Sequence, residues 1–447
     1  MKDKYIILLL VLISMVIFIS GLQWGLPSLN LNQLYFSKAE HLQKIIAEIN
    51  KTEVPRSLYN PIRSYHPDEY FIIKTLQSVK LPSLRFSVEQ FSIGGAYLYL
   101  YGLMLFLFTL TGIIYPSKDI TYYFLNPEEI ARFYITGRVL CLIYGIGIVI
   151  LTYVTTKKIS KNKLAAFLCT VLLIFSPLFL TNVHFMYVDI PGLFWIMLTI
   201  YFVLRYLEGE KINPVFIGLS AGMAAGNKIT FLIVFFIPLV TFLIDRKPLK
   251  ERIKNTGYSF LSFVGILIIT YPYFLTSFHH LFLGEGQHAT RIIFSPDFYI
   301  TALKYGMGSP LLFFLIPGFI FTCLIKPAKN RIIVTLWILF FFFIMSSLSL
   351  KFARYILPII PPLIIIGVNG WFSLSNRTVS FIRNCIIVLV LASTFIYGMA
   401  FEMLFIKENI RTEAGIWIKE NIPAGSSIGV TEVPWQFQIP PFDYYVY

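Results

Sequence analysis

Two adjacent carboxylates follow a proline in "HPDE", residues 66–69, a polar island between strongly apolar stretches. A carboxylate held there could take the proton from an attacking hydroxyl. The same tetrapeptide also reads as a plain helix start, because proline suits the first helical position and acids in the first turn complement the helix dipole. The two readings are compatible, since a helix start would hold Asp68 and Glu69 rigidly. A third acid, Asp189, interrupts "NVHFMYVDIPGLFW". Deep in lipid a carboxylate costs roughly 2.5–3.5 kcal/mol on insertion scales, so such residues usually face a cavity or pathway. The plainer alternative is a snorkelling acid ahead of Pro191.

Three lone cations complete the set: Arg138, Lys228 and Arg354, each bordering apolar sequence. Singly, each could snorkel to the interface. Jointly with the acids they would suit a clamp on a phosphate leaving group. Of the six histidines, His66 heads the acidic motif and His184 lies five residues before Asp189. Three more, His279, His280 and His288, fall in "YPYFLTSFHHLFLGEGQHATRIIF" with Arg291. No strong zinc spacing is present. His279 and His280 are candidates for donor or acceptor contacts; a metal site and an ordinary solvated loop stay open.

The elements that must position these groups are membrane helices. The chain is 57% hydrophobic and only 13% charged, with a mean hydropathy of +0.72, whereas soluble domains carry charge on roughly a quarter of residues. Apolar segments at 5–22, 93–114, 133–155, 164–182, 188–204, 214–226, 229–244, 256–275, 303–325, 332–349, 353–373 and 382–402 are mostly long enough to cross a bilayer. The pair 214–226 and 229–244 is short, and reads as a hairpin with Asn227 and Lys228 at its tip. The start of the chain shows no convincing A-x-A cleavage site and reads as a retained first span.

The net charge of +14 is a topogenic signal. The N-terminus and residues 156–163, 205–213, 245–255, 326–331 and 374–384 hold 18 of the 37 Lys and Arg but 5 of the 23 acids. The positive-inside rule therefore places these pieces in the cytoplasm. A nucleic-acid partner would need a soluble basic surface, and none is visible. For this topology to hold, 93–114 cannot cross; its Gly94-Gly95 start and tyrosines suit an outer-leaflet or re-entrant segment. The expected fold is all-α and polytopic, with about 11 transmembrane helices, that extra segment, and a short extracytoplasmic α/β tail. Residues 1–402 form the membrane module, with a first outer loop at 23–132. Residues 403–447 form the tail, a truncated outer domain or a cap, in which "TEAGIWIKENIPAGSSIGV" reads as helix, turn and strand. The four cysteines match no CxxC or zinc pattern.

With this order and sidedness, "HPDEYF" resembles the Asp-Glu motif of GT-C superfamily glycosyltransferases, specifically the protein O-mannosyltransferase and aminoarabinose-transferase-like group. "HFMYVDIP" is similar to that group's second motif, with His184 where an Arg is common. "GRVLCLIYG", "AGMAAGNKIT" and "RYILPIIPPL" are similar to its helix starts. The group's Lys-Pro-Pro stretch is replaced here by "SIGGAYLYLYG", which shifts weight for donor binding onto Arg138, Lys228 and Arg354. The resemblance implies a multi-pass protein of the cell membrane. It would move a sugar, with inversion, from a polyprenyl- or dolichyl-phosphate carrier to a protein, lipid or glycan acceptor at the outer face.

In that scheme Asp68 is the base, Glu69 positions it, and Asp189 orients the acceptor or stabilises the sugar cation. His66, His184, His279, His280 and Tyr355 would contact substrate. No resident metal ligands or cofactor are assigned beyond the lipid-linked donor, and a divalent metal is left open. The competing class is a polytopic transporter or carrier-lipid flippase, which expects charges near the bilayer midplane and internal repeats. Neither is apparent. A non-catalytic membrane scaffold is a third reading.

Overall fold

In a computed structural model the described residues are 2–48, 61–78, 93–272, 293–324, 328–374, 377–429 and 439–447. His279, His280, His288 and Arg291 lie outside them. The described part is mostly helical, and no strand longer than a single bridge occurs among these residues.

The chain opens with α1 (Asp3–Ile19), then three short helices, α2 (Leu29–Tyr35), α3 (Ala39–Glu48) and α4 (Pro67–Ser78). Next come α5 (Gly95–Leu110), α6 (Ile120–Leu125) and the 34-residue α7 (Pro127–Ser160). The apolar stretch after it is bent by 64° between α8 (Lys163–Ile174) and α9 (Pro177–Val183). Ser176-Pro177 explains the break, because proline cannot donate to the preceding turn. Then follow α10 (Asp189–Leu207), α11 (Pro214–Ala225), a 3-10 turn (Ile229–Phe235) running into α12 (Phe236–Ile244), and α13 (Leu249–Thr270). The second half holds α14 (Asp297–Met307), α15 (Ser309–Leu324), α16 (Lys329–Ser347), a 3-10 turn (Ala353–Ile359) leading into α17 (Ile360–Phe372), α18 (Arg377–Ile406) and α19 (Ile410–Asn421).

Among the described residues six helices are individually long and apolar enough to cross a membrane, and up to eight spans result if each bent pair counts as one. Gly95–Leu110, Pro214–Ala225 and Ile229–Ile244 are shorter apolar helices. The count of about 11 expected from hydropathy thus divides into full-length spans and several short or bent pieces. In the core, α17 is buried along its whole apolar run. It meets α15 where a Cβ on Gly318 would lie 2.0 Å from the Gly367 carbonyl oxygen. Only glycine permits that approach.

Two ends of the bundle differ in chemistry. At one end Lys157 pairs with Asp3 at 2.6 Å, Lys158 with Glu208 and Glu210, and Asn330 reaches Glu208. The basic segments read as cytoplasmic therefore meet. Arg138 and Lys157 lie 19 residues apart on the same helix, about 28 Å at 1.5 Å per residue. That is close to the thickness of a hydrocarbon core.

The segment expected not to cross, α5, packs beside the early part of α7. Tyr97 donates to the Gly137 carbonyl at 2.9 Å, and Tyr101 to Phe133 at 3.1 Å. After the helix turns back at Gly112, Arg132 donates to the Ile113 carbonyl. Thus α5 runs from the level of Gly137 toward the start of α7, away from the Lys157 end.

In the tail, α19 agrees with the helix read from sequence. The expected strand around "SSIGV" is not seen among the described residues: 426–429 form no strand, and 430–438 lie outside them. The tail is anchored instead by Asp443, which accepts from the Ser37 N–H and hydroxyl and from His41 Nδ1, each at 2.6 Å.

Candidate active site

Four helix starts converge at the end opposite the lysines. Asp68 sits in the first turn of α4, Asp189 begins α10, Lys228 caps the 3-10 turn 229–235, and Arg354 lies in the first turn of 353–359. Their side chains form a chain of alternating charge. Arg354 Nη2 lies 3.1 Å from Asp68 Oδ2, Arg354 Nε 3.4 Å from Asp189 Oδ2, and Lys228 Nζ 2.8 Å from Asp189 Oδ1. Asp189 and Lys228 are buried, while Asp68 and Arg354 keep about a fifth of their side-chain surface (20% and 19%). One end of the chain is therefore open.

The pairs involving Arg354 are loose. Asp68 Oδ2, Asp189 Oδ2 and Arg354 Nε are buried atoms that lack a properly directed hydrogen bond. Leaving such groups half satisfied in a site of low dielectric is costly. A ligand with acceptor oxygens would complete the donors. Helix starts also carry partial positive charge, which favours acids and anionic ligands there and disfavours cations. Two cations held at helix starts beside two acids describe a site suited to an added anion.

Aromatic rings line the cations. Lys228 Nζ stands 3.9 Å from the Tyr355 ring centre, and the Arg354 guanidinium 5.1 Å from that of Tyr187. Tyr355 thus belongs to the cluster. Tyr187 was not singled out in the sequence; its place two residues before Asp189 was the signal available.

Lys228 is held by backbone. Gly94 N–H donates to the Asn227 carbonyl at 2.9 Å and Ala96 N–H to Gly226 at 3.1 Å. A Cβ on Gly94 would lie 2.0 Å from the Gly226 oxygen. The "IGGA" and "AGNK" stretches therefore need glycine for close approach, and α5 begins as a brace for the lysine.

Glu69 and Arg138 form a separate unit. The carboxylate receives Arg138 Nε and Nη2, both at 2.7 Å, and the Met186 N–H at 2.8 Å. Arg138 Nη1 donates to the carbonyls of Leu22 and Trp24. Both side chains are fully buried. Burial alone would raise the Glu69 carboxyl, but the bidentate guanidinium outweighs it and holds the group below its ordinary value. Arg138, expected beside a phosphate, is instead committed to this fork, with its donors spent on protein acceptors. The unit ties the 22–24 turn, the start of α4 and the segment before Asp189 to α7.

His66 caps α4: its Nδ1 accepts the Asp68 N–H at 3.3 Å, and its ring lies on Phe185 with centres 4.0 Å apart. Burial lowers its pKa, in keeping with an unprotonated Nδ1. His184 is not at the cluster. Its Nδ1 meets the Leu180 carbonyl at 2.9 Å, its Nε2 the Ser20 carbonyl at 2.8 Å, and its ring stacks on Phe405. Both nitrogens of His184 therefore face backbone carbonyl oxygens. Among the described residues no group of three or more His, Cys, Asp or Glu is set to hold a metal ion.

Known proteins resemble this chain in sequence and in fold. Residues 99–282 match the family described as dolichyl-phosphate-mannose-protein mannosyltransferase. A protein of Aquifex aeolicus (strain VF5) without assigned function is 23% identical over 273 residues, 58% of this chain and 53% of the relative. The chain therefore spans about half the length of that curated relative. In structure, ArnT from Cupriavidus metallidurans bound to undecaprenyl phosphate aligns with a TM-score of 0.54 at 14% identity, over 98% of this chain and 86% of ArnT. The Archaeoglobus fulgidus oligosaccharyltransferase aligns with a TM-score of 0.53 at 15% identity, over 99% of this chain and 62% of that protein. At such identities the structural likeness speaks for the fold. The family match over residues 99–282 agrees with the protein O-mannosyltransferase side of the resemblance read from the motifs.

Proposed function

We propose that the protein is a membrane glycosyltransferase that moves one sugar from a polyprenyl-phosphate carrier to a hydroxyl acceptor at the outer membrane face, with inversion. The observation that carries this reading is the Asp68–Arg354–Asp189–Lys228 chain: a partly open carboxylate beside a loosely paired Arg354, with Lys228 held next to it by Asp189. The family match and the fold shared with ArnT support it.

The donor phosphate would draw Arg354 away from Asp68 and meet Lys228 where Asp189 holds it. Asp68, released from Arg354, then accepts the proton of the acceptor hydroxyl. The acceptor oxygen bonds to the anomeric carbon as the bond from that carbon to phosphate oxygen breaks. The electron pair leaves with the polyprenyl phosphate, whose added charge Lys228 and Arg354 neutralise. Asp189 holds Lys228 in place and faces the positive charge developing on the sugar ring. Glu69 and Arg138 fix the distance between the two motifs without touching substrate. His66 sets the start of α4, and Tyr355 backs Lys228.

An apolar cavity of about 350 Å³ lined by Leu178, Phe298, Ala302, Tyr305, Ala353 and Phe401 adjoins Arg354 through Ala353. It offers a berth for the first isoprenoid units. The clustering of the basic loops at the far end supports an outward-facing site. His279 and His280 remain candidates for acceptor contacts.

The test is incubation of purified protein with a panel of polyprenyl-phosphate sugars, following free polyprenyl phosphate. Release above a protein-free control supports the reading. A folded protein that releases none from any donor, with a peptide, glycolipid or glycan acceptor supplied, refutes it.

A further inference from the structure

A cavity of about 630 Å³, lined by none of the four residues of the charge cluster, runs from Ile19–Gly25 to Ile135 and Phe405–Asn409. A second, about 480 Å³, continues from it past Asn30, Tyr65, Glu128, Arg132 and Thr412. They share Gln23, Gly25, Ile135 and Glu408, so they are two lobes of one cleft. Each lobe is within the size of small-molecule sites, about 300–1,000 Å³.

The lining indicates what fits. Glu128 and Glu408 balance Arg132 and Lys407, so the cleft has no bias toward an anion, unlike the Lys228–Arg354 end. Gln23, Asn30 and Glu128 make no side-chain hydrogen bond within the described residues. Amide, hydroxyl and carboxylate groups interspersed around a cleft offer donors and acceptors in comparable number. That suits a neutral ligand rich in hydroxyls, each of which both donates and accepts. The half-buried Trp24 is the aromatic part of the wall, backed at 6.2 Å by the buried Tyr65 ring, over which Arg411 lies at 4.2 Å.

The cleft also communicates with the acidic motif. Tyr65, which lines it, directly precedes His66-Pro67-Asp68. Its N–H donates to the Gly25 carbonyl at 2.8 Å, and its hydroxyl bonds Thr412 Oγ1 at 2.9 Å. Burial pushes its phenol up to about 12, so it is neutral at physiological pH. Contact at Tyr65 is therefore contact with the residue that directly precedes His66, the cap of α4. The first lobe starts at Ile19, and Val16, Ile19, Leu404 and Ile406 beside it are exposed apolar residues. Its mouth thus lies where an apolar helix surface gives way to polar sequence.

We propose that this cleft binds the carbohydrate portion of the acceptor: a neutral, hydroxyl-rich glycan, free or carried on a lipid. This rests on the transferase reading and adds an acceptor class to it. The cleft holds the body of the glycan while a terminal hydroxyl is presented toward Asp68.

The experiment uses the full chain in detergent or nanodiscs with no donor present, so that binding is read without turnover. The probes are three neutral trisaccharides (mannotriose, maltotriose and chitotriose), the same sugars on a diacylglycerol anchor in phosphatidylcholine vesicles, and plain vesicles. Titration calorimetry reads affinity for wild type, Asn30→Trp, Glu408→Trp and the milder Gln23→Ala, each first checked for a wild-type melting profile. The expected result is saturable binding of at least one trisaccharide, weakened at least tenfold by the tryptophan variants. Preference for the anchored form assigns a glycolipid acceptor, and equal binding a free glycan. No saturable binding of any sugar up to millimolar concentration overturns the proposal. So does unchanged binding in both tryptophan variants, or binding of plain vesicles alone. Absence of transfer activity with intact sugar binding would count against the transferase reading and leave the cleft standing.

Discussion

Arg138 provides the sharpest separation between a structural and a catalytic role, because it is the cation that sequence alone assigns to phosphate. Its guanidinium makes two 2.7 Å bonds to Glu69, both side chains being fully buried, and caps the partly buried carbonyls of Leu22 and Trp24. Replacing it with alanine leaves a buried carboxylate with only the Met186 N–H and strands two carbonyls. Breaking one side of a buried ion pair costs about 3–5 kcal/mol. Even about 3 kcal/mol is more than a hundredfold in the folding equilibrium at about 1.4 kcal/mol per decade. Arg138→Ala should therefore melt well below wild type in detergent. Arg138→Lys should recover little, since an ammonium cannot form the fork. The double variant Arg138→Met with Glu69→Met should regain much of the loss, because apolar replacement of a whole buried pair is often neutral. The assay is a double-mutant cycle on melting, paired with donor binding. A variant Arg138→Ala that melts like wild type but fails to bind donor would refute the strut and restore the phosphate role.

Other consequences follow from the same geometry. Lys228→Met should lower kcat by about 10²–10³ if the ammonium stabilises departing phosphate, read as single-turnover release of polyprenyl phosphate; a wild-type rate would remove Lys228 from the site. Gly94→Ala forces a Cβ against the Gly226 oxygen, and such overpacking costs typically about 1–3 kcal/mol. It should reduce transfer by displacing Lys228, with a smaller effect from Gly102→Ala, where the nearest atom is 3.6 Å away. Because Glu69 is held below its ordinary value of 4.5, its stabilisation is fully present above that pH and fades as the pH drops below it. Melting temperature should fall between pH 5 and lower pH more in wild type than in Glu69→Gln, and equal slopes would contradict the depressed carboxyl.

Much of this site was legible because its residues are chemically out of place. Asp68, Asp189, Lys228 and Arg354 stand out against apolar sequence, and the charge bias of the loops puts them at one end. Their convergence from four helix starts needed coordinates, since it depends on crossings between segments up to some 290 residues apart. Sequence could not divide the cations by role. Arg138 and Arg354 look alike in one dimension, yet one is sealed against Glu69 and the other keeps 19% of its side-chain surface. His184 lies five residues before Asp189 in sequence, yet a helix end turns its ring toward Ser20. For α5, the charge of residues 156–163 was the decisive sequence signal, and its packing beside Phe133 and Gly137 agrees with a helix that stays near one end. The bends at Pro177 and Gly308 shortened helices that hydropathy alone had read as single spans.

The most direct test of the central claim is Asp68→Asn, measured for transfer and for donor binding in one preparation. Asparagine keeps the size and the helix-start geometry but cannot take a proton. The account predicts that coupled release of polyprenyl phosphate and sugar transfer falls by about 10²–10⁴, while the variant melts as wild type and still binds the lipid-linked sugar. Transfer at the wild-type rate by folded Asp68→Asn protein would contradict it.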